Sequence, residues 1–194
     1  MLETNKPENK ALESPERFES AVQYPESDGK PMGETDNHRA VIFYLFQALQ
    51  YFFRKQDKIY VAADLLFYFE EGKPTSVVVP DVFVVKGVDR HDRRTYKLWE
   101  EKAAPCTVFE ITSRSSRRED QVTKRLLYEK LGVREYFLFD PLGEYLSPRL
   151  QAHHLIGEHY QKMSLAPEGS LRSQELGLTL QTEEKFLRLV DPSH

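Results

Sequence analysis

The chain has 194 residues, of which 40% are hydrophobic and 30% charged, and its net charge is −4. That is enough apolar chain for one domain with its own core, and a bulk charge that neither requires nor forbids a nucleic-acid partner. The single cysteine, Cys106, excludes an intrachain disulfide, and no basic leader with an apolar run and no stretch of membrane-spanning length is seen, so a cytoplasmic location outside the membrane is expected.

Charge is unevenly spread. Residues 1–36 hold nine acids against four bases, which leaves 37–194 slightly basic. With Pro7, Pro15, Pro25 and Pro31 scattered through it, the segment 1–33 reads as a flexible acidic arm, with a short helix near 15–22. Residues 34–194 read as one domain. Asn37 is a candidate cap for a helix over 38–55, whose apolar residues Ile42, Leu45, Phe46, Leu49, Phe52 and Phe53 fall at helical spacing. The aromatics at 43–53 read as core or as a dimer face.

Next comes a β region. "KIYVAADLLFYFE" and "VVVPDVFVVK" are rich in β-branched and aromatic residues, and the intervening "EGKPTS" carries turn chemistry, so the two read as an antiparallel pair. Residues 87–104 form a charged connection with a short helical turn. "PCTVFEITS" is a further buried strand. "RREDQVTKRLLYEKL" is a helix stopped at Gly132, and "VREYFLFDP" is a strand. "LQAHHLIGEHYQKM" reads as a hairpin, with short strands in "LGLTL" and "KFLRLV". The order predicts an α/β fold, a mixed β-sheet flanked by helices.

Two acids stand out because each is alone in an apolar strand: Asp81 in "VVVPDVFVV" and Glu110 in "PCTVFEITS". A buried charge needs a partner or a task. Neighbouring strands would set the two carboxylates side by side, and a shared divalent cation relieves their repulsion. Hard oxygen donors suit Mg²⁺ or Mn²⁺, and the Ile111 carbonyl can complete the set. Asp120, Lys124 and Tyr128 follow at i, i+4 and i+8 on one helix face, where Lys124 can stabilise phosphate charge or orient water. Taken singly, Asp81 after Pro80 is a turn residue, and the helix trio is a solvated ion-pair face. Asp64, in the strand before, either approaches the site or serves the surface. Between residues 114 and 134 seven bases face three acids, a patch suited to phosphates in which Arg114, Arg117, Arg118 and Arg125 are the candidate nucleic-acid contacts. "RHDRR" at 90–94 could extend it. His153 and His154 point to opposite faces of a strand, so with His159 they make no zinc site. Cys106 is a small core residue.

The motifs "VVVPDVFVV", "VFEITSRSS" and "REDQVTKRLLYEKLGVREYFLFDP" together resemble the Uma2 family of restriction-endonuclease-like nucleases, itself similar to the PD-(D/E)XK superfamily. The matching positions are Pro80 and Asp81; Glu110, Ile111 and Ser113; Asp120, Lys124 and Tyr128; Gly132, Val133, Glu135 and Tyr136; and Asp140 with Pro141. His38 also matches a recurrent position. The resemblance spans roughly residues 35–190. It implies a restriction-endonuclease-like fold and a Mg²⁺-dependent DNA endonuclease. Asp81, Glu110 and Ile111 would bind the metal, and Lys124 would assist water activation. Asp120, Tyr128, Ser113, His38 and Asp64 would be supporting residues, and the protein would be a homodimer. Two departures are visible. Thr112 stands where the superfamily's lysine usually lies, so Lys124 is implied to reach the same space. Phe137 replaces a usual Trp. Thr112 also motivates the competing class, an inactive nuclease-fold module that binds nucleic acid or protein.

Overall fold

The computed structural model describes residues 22–27 and 35–193. The expected arm 1–33 and the short helix near 15–22 lie outside the described residues except for 22–27. Those six lie against the domain: the Tyr24 ring packs 5.1 Å from Tyr68 and 5.1 Å from Trp99, and the Tyr68 hydroxyl donates to the Pro25 carbonyl at 2.6 Å.

The first helix, α1 (Asp36–Phe52), starts two residues before the expected position. Its cap is Thr35, not Asn37: the Thr35 hydroxyl accepts the His38 N–H, one of the four N–H groups the helix itself leaves unpaired. Val41, Ile42, Leu45 and Leu49 are buried on the inner face, whereas Phe43 and Tyr51 stand 63% and 67% exposed on the outer one.

The main sheet has six strands: β1 (Ile59–Ala63), β4 (Val82–Lys86), β6 (Thr107–Ile111), β7 (Glu135–Phe139), β8 (Leu150–Ile156) and β9 (His159–Lys162), side by side in that order. All its pairings are antiparallel except β6 with β7. The mixed sheet read from the sequence is therefore present, and so is the hairpin of β8 and β9. The stretch 77–85 is not one strand. Pro80, which has no N–H for a ladder, and Asp81 break it into β3 (Val77–Val78) and β4. β3 belongs to a small second sheet with β2 (Phe67–Tyr68) and β5 (Tyr96–Lys97). The charged connection also carries the expected helical turn, α2 (Leu98–Glu101). A third sheet, β10 (Leu171–Arg172), β11 (Thr179–Glu183) and β12 (Phe186–Val190), closes the chain.

Strand alternation sends side chains to two cores. Val82, Val84, Phe109, Ile111, Phe137 and Phe139 face α1 and the third sheet. Phe83, Val85, Val108, Tyr136 and Leu138 face the opposite way, where Tyr128 packs. Phe137, in place of Trp, stacks on Phe109 with centroids 5.0 Å apart. The helix after β6 begins with a π-helical segment, Glu119–Lys124, and continues as α3 (Arg125–Lys130). Gly132, at φ +77°, stops it: the Val133 N–H reaches the Tyr128 carbonyl and the Gly132 N–H reaches that of Glu129. This paired ending favours glycine at the left-handed position. Among the described residues no helix is long and apolar enough to cross a membrane.

Candidate active site

The register Val82↔Phe109 carries Asp81 to the position just opposite Glu110. Glu110 alternates with Val108 onto the face that holds Tyr128. It is 1% exposed, and both its oxygens are taken: the Tyr128 hydroxyl donates to Oε1 at 2.7 Å and Lys124 Nζ donates to Oε2 at 2.7 Å. Asp81 lies one ladder step away, where the Ile111 N–H donates to its Oδ2 at 2.6 Å. From the other side of the sheet, His38 at the start of α1 places Nε2 2.6 Å from the Ile111 carbonyl oxygen and 3.5 Å from Asp81 Oδ2. A carbonyl only accepts, so this nitrogen carries the proton.

Asp120 is also 1% exposed, in the π-helical segment. Its Oδ1 lies 3.4 Å from Lys124 Nζ, and its Oδ2 accepts from the Ser116 hydroxyl at 2.7 Å. Two carboxylates, Glu110 and Asp120, therefore lie within 3.4 Å of one ammonium, and the charge of Asp81 also acts on it. The electrostatics follow. Burial pushes the Glu110 carboxyl up to about 8, Lys124 pulls it back, and Asp81 and Asp120 push it further. Asp120 is raised for the same leading reason, burial. Burial pulls on Lys124 in the opposite sense, but Glu110, Asp81 and Asp120 outweigh it and hold the ammonium charged.

The residues singled out from the sequence thus divide. Asp81, Glu110, Ile111, Lys124, Asp120, Tyr128 and His38 come together. Ser113 is one step further out: its hydroxyl lies 3.2 Å from that of Ser116, which holds Asp120. Asp64 is exposed at the turn after β1, with φ +48°, and its N–H donates to the Asp81 carbonyl at 3.3 Å. Arg114, Arg117 and Arg118 are exposed at the start of the helix, and Arg125 is half-buried, its Nε donating to the Gln121 carbonyl at 3.1 Å. Thr112 is 2% exposed and its hydroxyl oxygen has no hydrogen-bond partner.

Ser116 is the residue that reading the sequence missed. Four places before Asp120 in "SRSSRRED", it could have been found only by asking which donor fixes a buried acid. Two motif positions prove to be internal braces instead. Glu135, fully buried, accepts the Ser173 hydroxyl and the Gln174 N–H, the latter at 2.8 Å, and so ties β7 to the turn before β11. Asp140 accepts four backbone N–H groups, from Leu142, Gly143, Tyr145 and Leu146, at 2.5 to 3.1 Å.

Among the described residues no group of three or more His, Cys, Asp or Glu side chains is arranged to hold a metal ion. The donors that converge are two carboxylates and one main-chain carbonyl, an all-oxygen set of the kind Mg²⁺ and Mn²⁺ accept. The charge also fits: three acids against one ammonium leave room for a divalent ion.

Comparison with known proteins follows the same direction. The model of the Uma2 family, described as "Putative restriction endonuclease", matches residues 8–187. Among solved structures, a "putative nuclease belonging to DUF820" from Anabaena variabilis ATCC 29413 superposes with a TM-score of 0.54, at 15% identity, over 80% of this chain and 86% of that one. At that identity the likeness speaks for the fold, a restriction-endonuclease-like sheet with flanking helices. No curated protein matches the chain.

Proposed function

Because the chain belongs to the Uma2 family, we propose that it is a divalent-metal-dependent endonuclease that hydrolyses DNA phosphodiester bonds. The observation that supports this most directly is the shared ammonium: Lys124 lies 2.7 Å from Glu110 and 3.4 Å from Asp120, beside Asp81. Buried acids in such excess are unfavourable for folding alone and are typical of sites tuned for chemistry.

Asp81, Glu110 and the Ile111 carbonyl would hold Mg²⁺ or Mn²⁺, which when bound polarises a phosphoryl oxygen and eases deprotonation of water. The remaining work falls to the chain. Lys124, kept charged by its neighbours, faces the developing negative charge on phosphate and orients the attacking water. The Tyr128 hydroxyl fixes the rotamer of Glu110, and His38 fixes the Ile111 carbonyl. Arg114, Arg117, Arg118 and Arg125 hold the DNA backbone without reading its sequence. A homodimer would let two such sites address two strands, and Phe43 and Tyr51 on the outer face of α1 are apolar enough to contribute to its interface. Sedimentation that finds only monomer would remove that part.

The competing reading, a nuclease fold kept only for binding, draws on Thr112, a neutral buried residue at the superfamily's lysine position. The deciding experiment incubates supercoiled plasmid with Mg²⁺ or Mn²⁺ and wild type, Asp81→Ala or Glu110→Ala. Cleavage by wild type alone is expected. Equal cleavage by all three would indicate a contaminant, and DNA binding without cleavage would favour the binding module.

A further inference from the structure

We propose that Asp120 is a second seat for the Lys124 ammonium, held open by Ser116, onto which Lys124 moves when a divalent cation takes Glu110. The inference rests on the metal-site reading above and assigns Asp120 the part of a positioning residue, not a metal ligand.

Each oxygen of Glu110 accepts one hydrogen bond, and the ammonium 2.7 Å from Oε2 repels any cation that approaches this carboxylate. Tyr128 is 1% exposed, neutral and enclosed by the core, and its phenol oxygen does not repel a cation. Lys124 carries a like charge and is the donor that must withdraw. Its side chain is only 13% exposed, so retreat into water would strip a buried charge of its partners. With Glu110 and Asp81 given to the metal, the ion-pair partner left to Lys124 among the described residues is Asp120. Asp120 Oδ1, 3.4 Å away, is buried and ion-paired with Nζ but accepts no well-formed hydrogen bond. The other oxygen of Asp120 is fastened at 2.7 Å by the Ser116 hydroxyl, which itself accepts the Ser113 N–H at 3.1 Å. That fixed bond leaves Oδ1 turned toward Lys124. The Tyr136 hydroxyl donates to the Asp120 main-chain carbonyl at 2.9 Å, so the backbone is braced without using the carboxylate. A small movement of Nζ from Glu110 to Asp120 thus keeps the ammonium paired throughout.

The test measures Mn²⁺ binding to the full chain by calorimetry, without DNA, for wild type, Ser116→Ala, Asp120→Asn, Lys124→Met and the doubles Lys124→Met/Ser116→Ala and Lys124→Met/Asp120→Asn. With Lys124 present, Ser116→Ala and Asp120→Asn should each weaken binding about tenfold, because the ammonium stays on Glu110. Lys124→Met should tighten it, and in that background the other two changes should alter affinity by less than about twofold, the mark of coupled residues. Equal weakening by Asp120→Asn with and without Lys124 would make Asp120 a metal ligand and overturn the proposal. Unchanged affinity in Ser116→Ala would overturn it too, and that variant loses only a hydroxyl should Asp120→Asn fold poorly. Failure of the parent reading looks different: wild type that binds no Mn²⁺, or Asp81→Asn and Glu110→Gln that bind it as wild type does, removes the metal site and this proposal with it.

Discussion

Among the described residues four acids are buried almost completely, and they form two contrasting pairs. Glu135 and Asp140, at the two ends of β7, have carboxylates held by N–H and hydroxyl donors, and among the described residues no ion pair reaches either carboxylate. Glu110 and Asp120, on the neighbouring strand and helix, share one ammonium with Asp81 close by. The first pair shows how a fold pays for a buried carboxylate with neutral donors that the chain supplies anyway. The second is left with more negative charge than its surroundings neutralise. Burial of an acid is therefore uninformative by itself; the donors around it separate a brace from a candidate reactive centre.

The sharpest way to break this comparison is to exchange the consequences of losing each acid. If Glu110 holds the proposed metal, Glu110→Gln should lower plasmid cleavage by at least ~10²-fold, the several kcal/mol of transition-state stabilisation a metal ligand carries, while costing less stability than Asp140→Ala. Asp140→Ala should do the reverse. Four N–H groups lose their charged acceptor, and urea denaturation should report a loss of ~3 kcal/mol or more. If Glu110→Gln proved the more destabilising of the two, the division into brace and reactive centre would fail.

A smaller effect sharpens the same point through pH. The folded-state pKa of Glu110 is raised from 4.5 to about 8, so between those values the folded chain binds a proton that the unfolded chain has released. Its contribution to metal-free stability is greatest below pH 4.5, declines as pH rises through that window, and is flat above it. Lys124 is charged in both states across this range and adds no slope. Denaturation curves for wild type and Glu110→Gln at pH 5 and pH 8.5 check this: their difference should change in favour of the variant at the higher pH. The smallest expected effect is that of Tyr128→Phe, which removes one buried hydrogen bond and should cost about 1–2 kcal/mol in the same assay.

Much of this was legible in the sequence. Runs of β-branched and aromatic residues announced the strands of the sheet, and a lone acid in each of two apolar strands announced that Asp81 and Glu110 wanted company. The spacing of Asp120, Lys124 and Tyr128 predicted a common helix face, and the three do share one environment. Other features depend on distances that no local pattern encodes. That residues 77–85 are split between two sheets follows from what Pro80 withholds from a ladder, yet nothing nearby says which sheet each half joins. Thr35 and Asn37 are both good caps, and the choice between them is made by where α1 docks. Ser116 and the structural work of Asp140 emerge only when donors and acceptors are counted in three dimensions.

The π-helical winding at Glu119–Lys124 has one more consequence. Such a turn is an α-helical turn with a single residue to spare. Deleting one exposed member, Gln121 for example, would let the segment relax into ordinary α winding with the turns on either side kept near their places, but would bring Asp120 and Lys124 from i, i+4 to i, i+3. Asp120 would then meet Lys124 at a different angle, although no side chain of the candidate site had been altered. The length of this short segment, as much as its letters, sets the geometry of the candidate site.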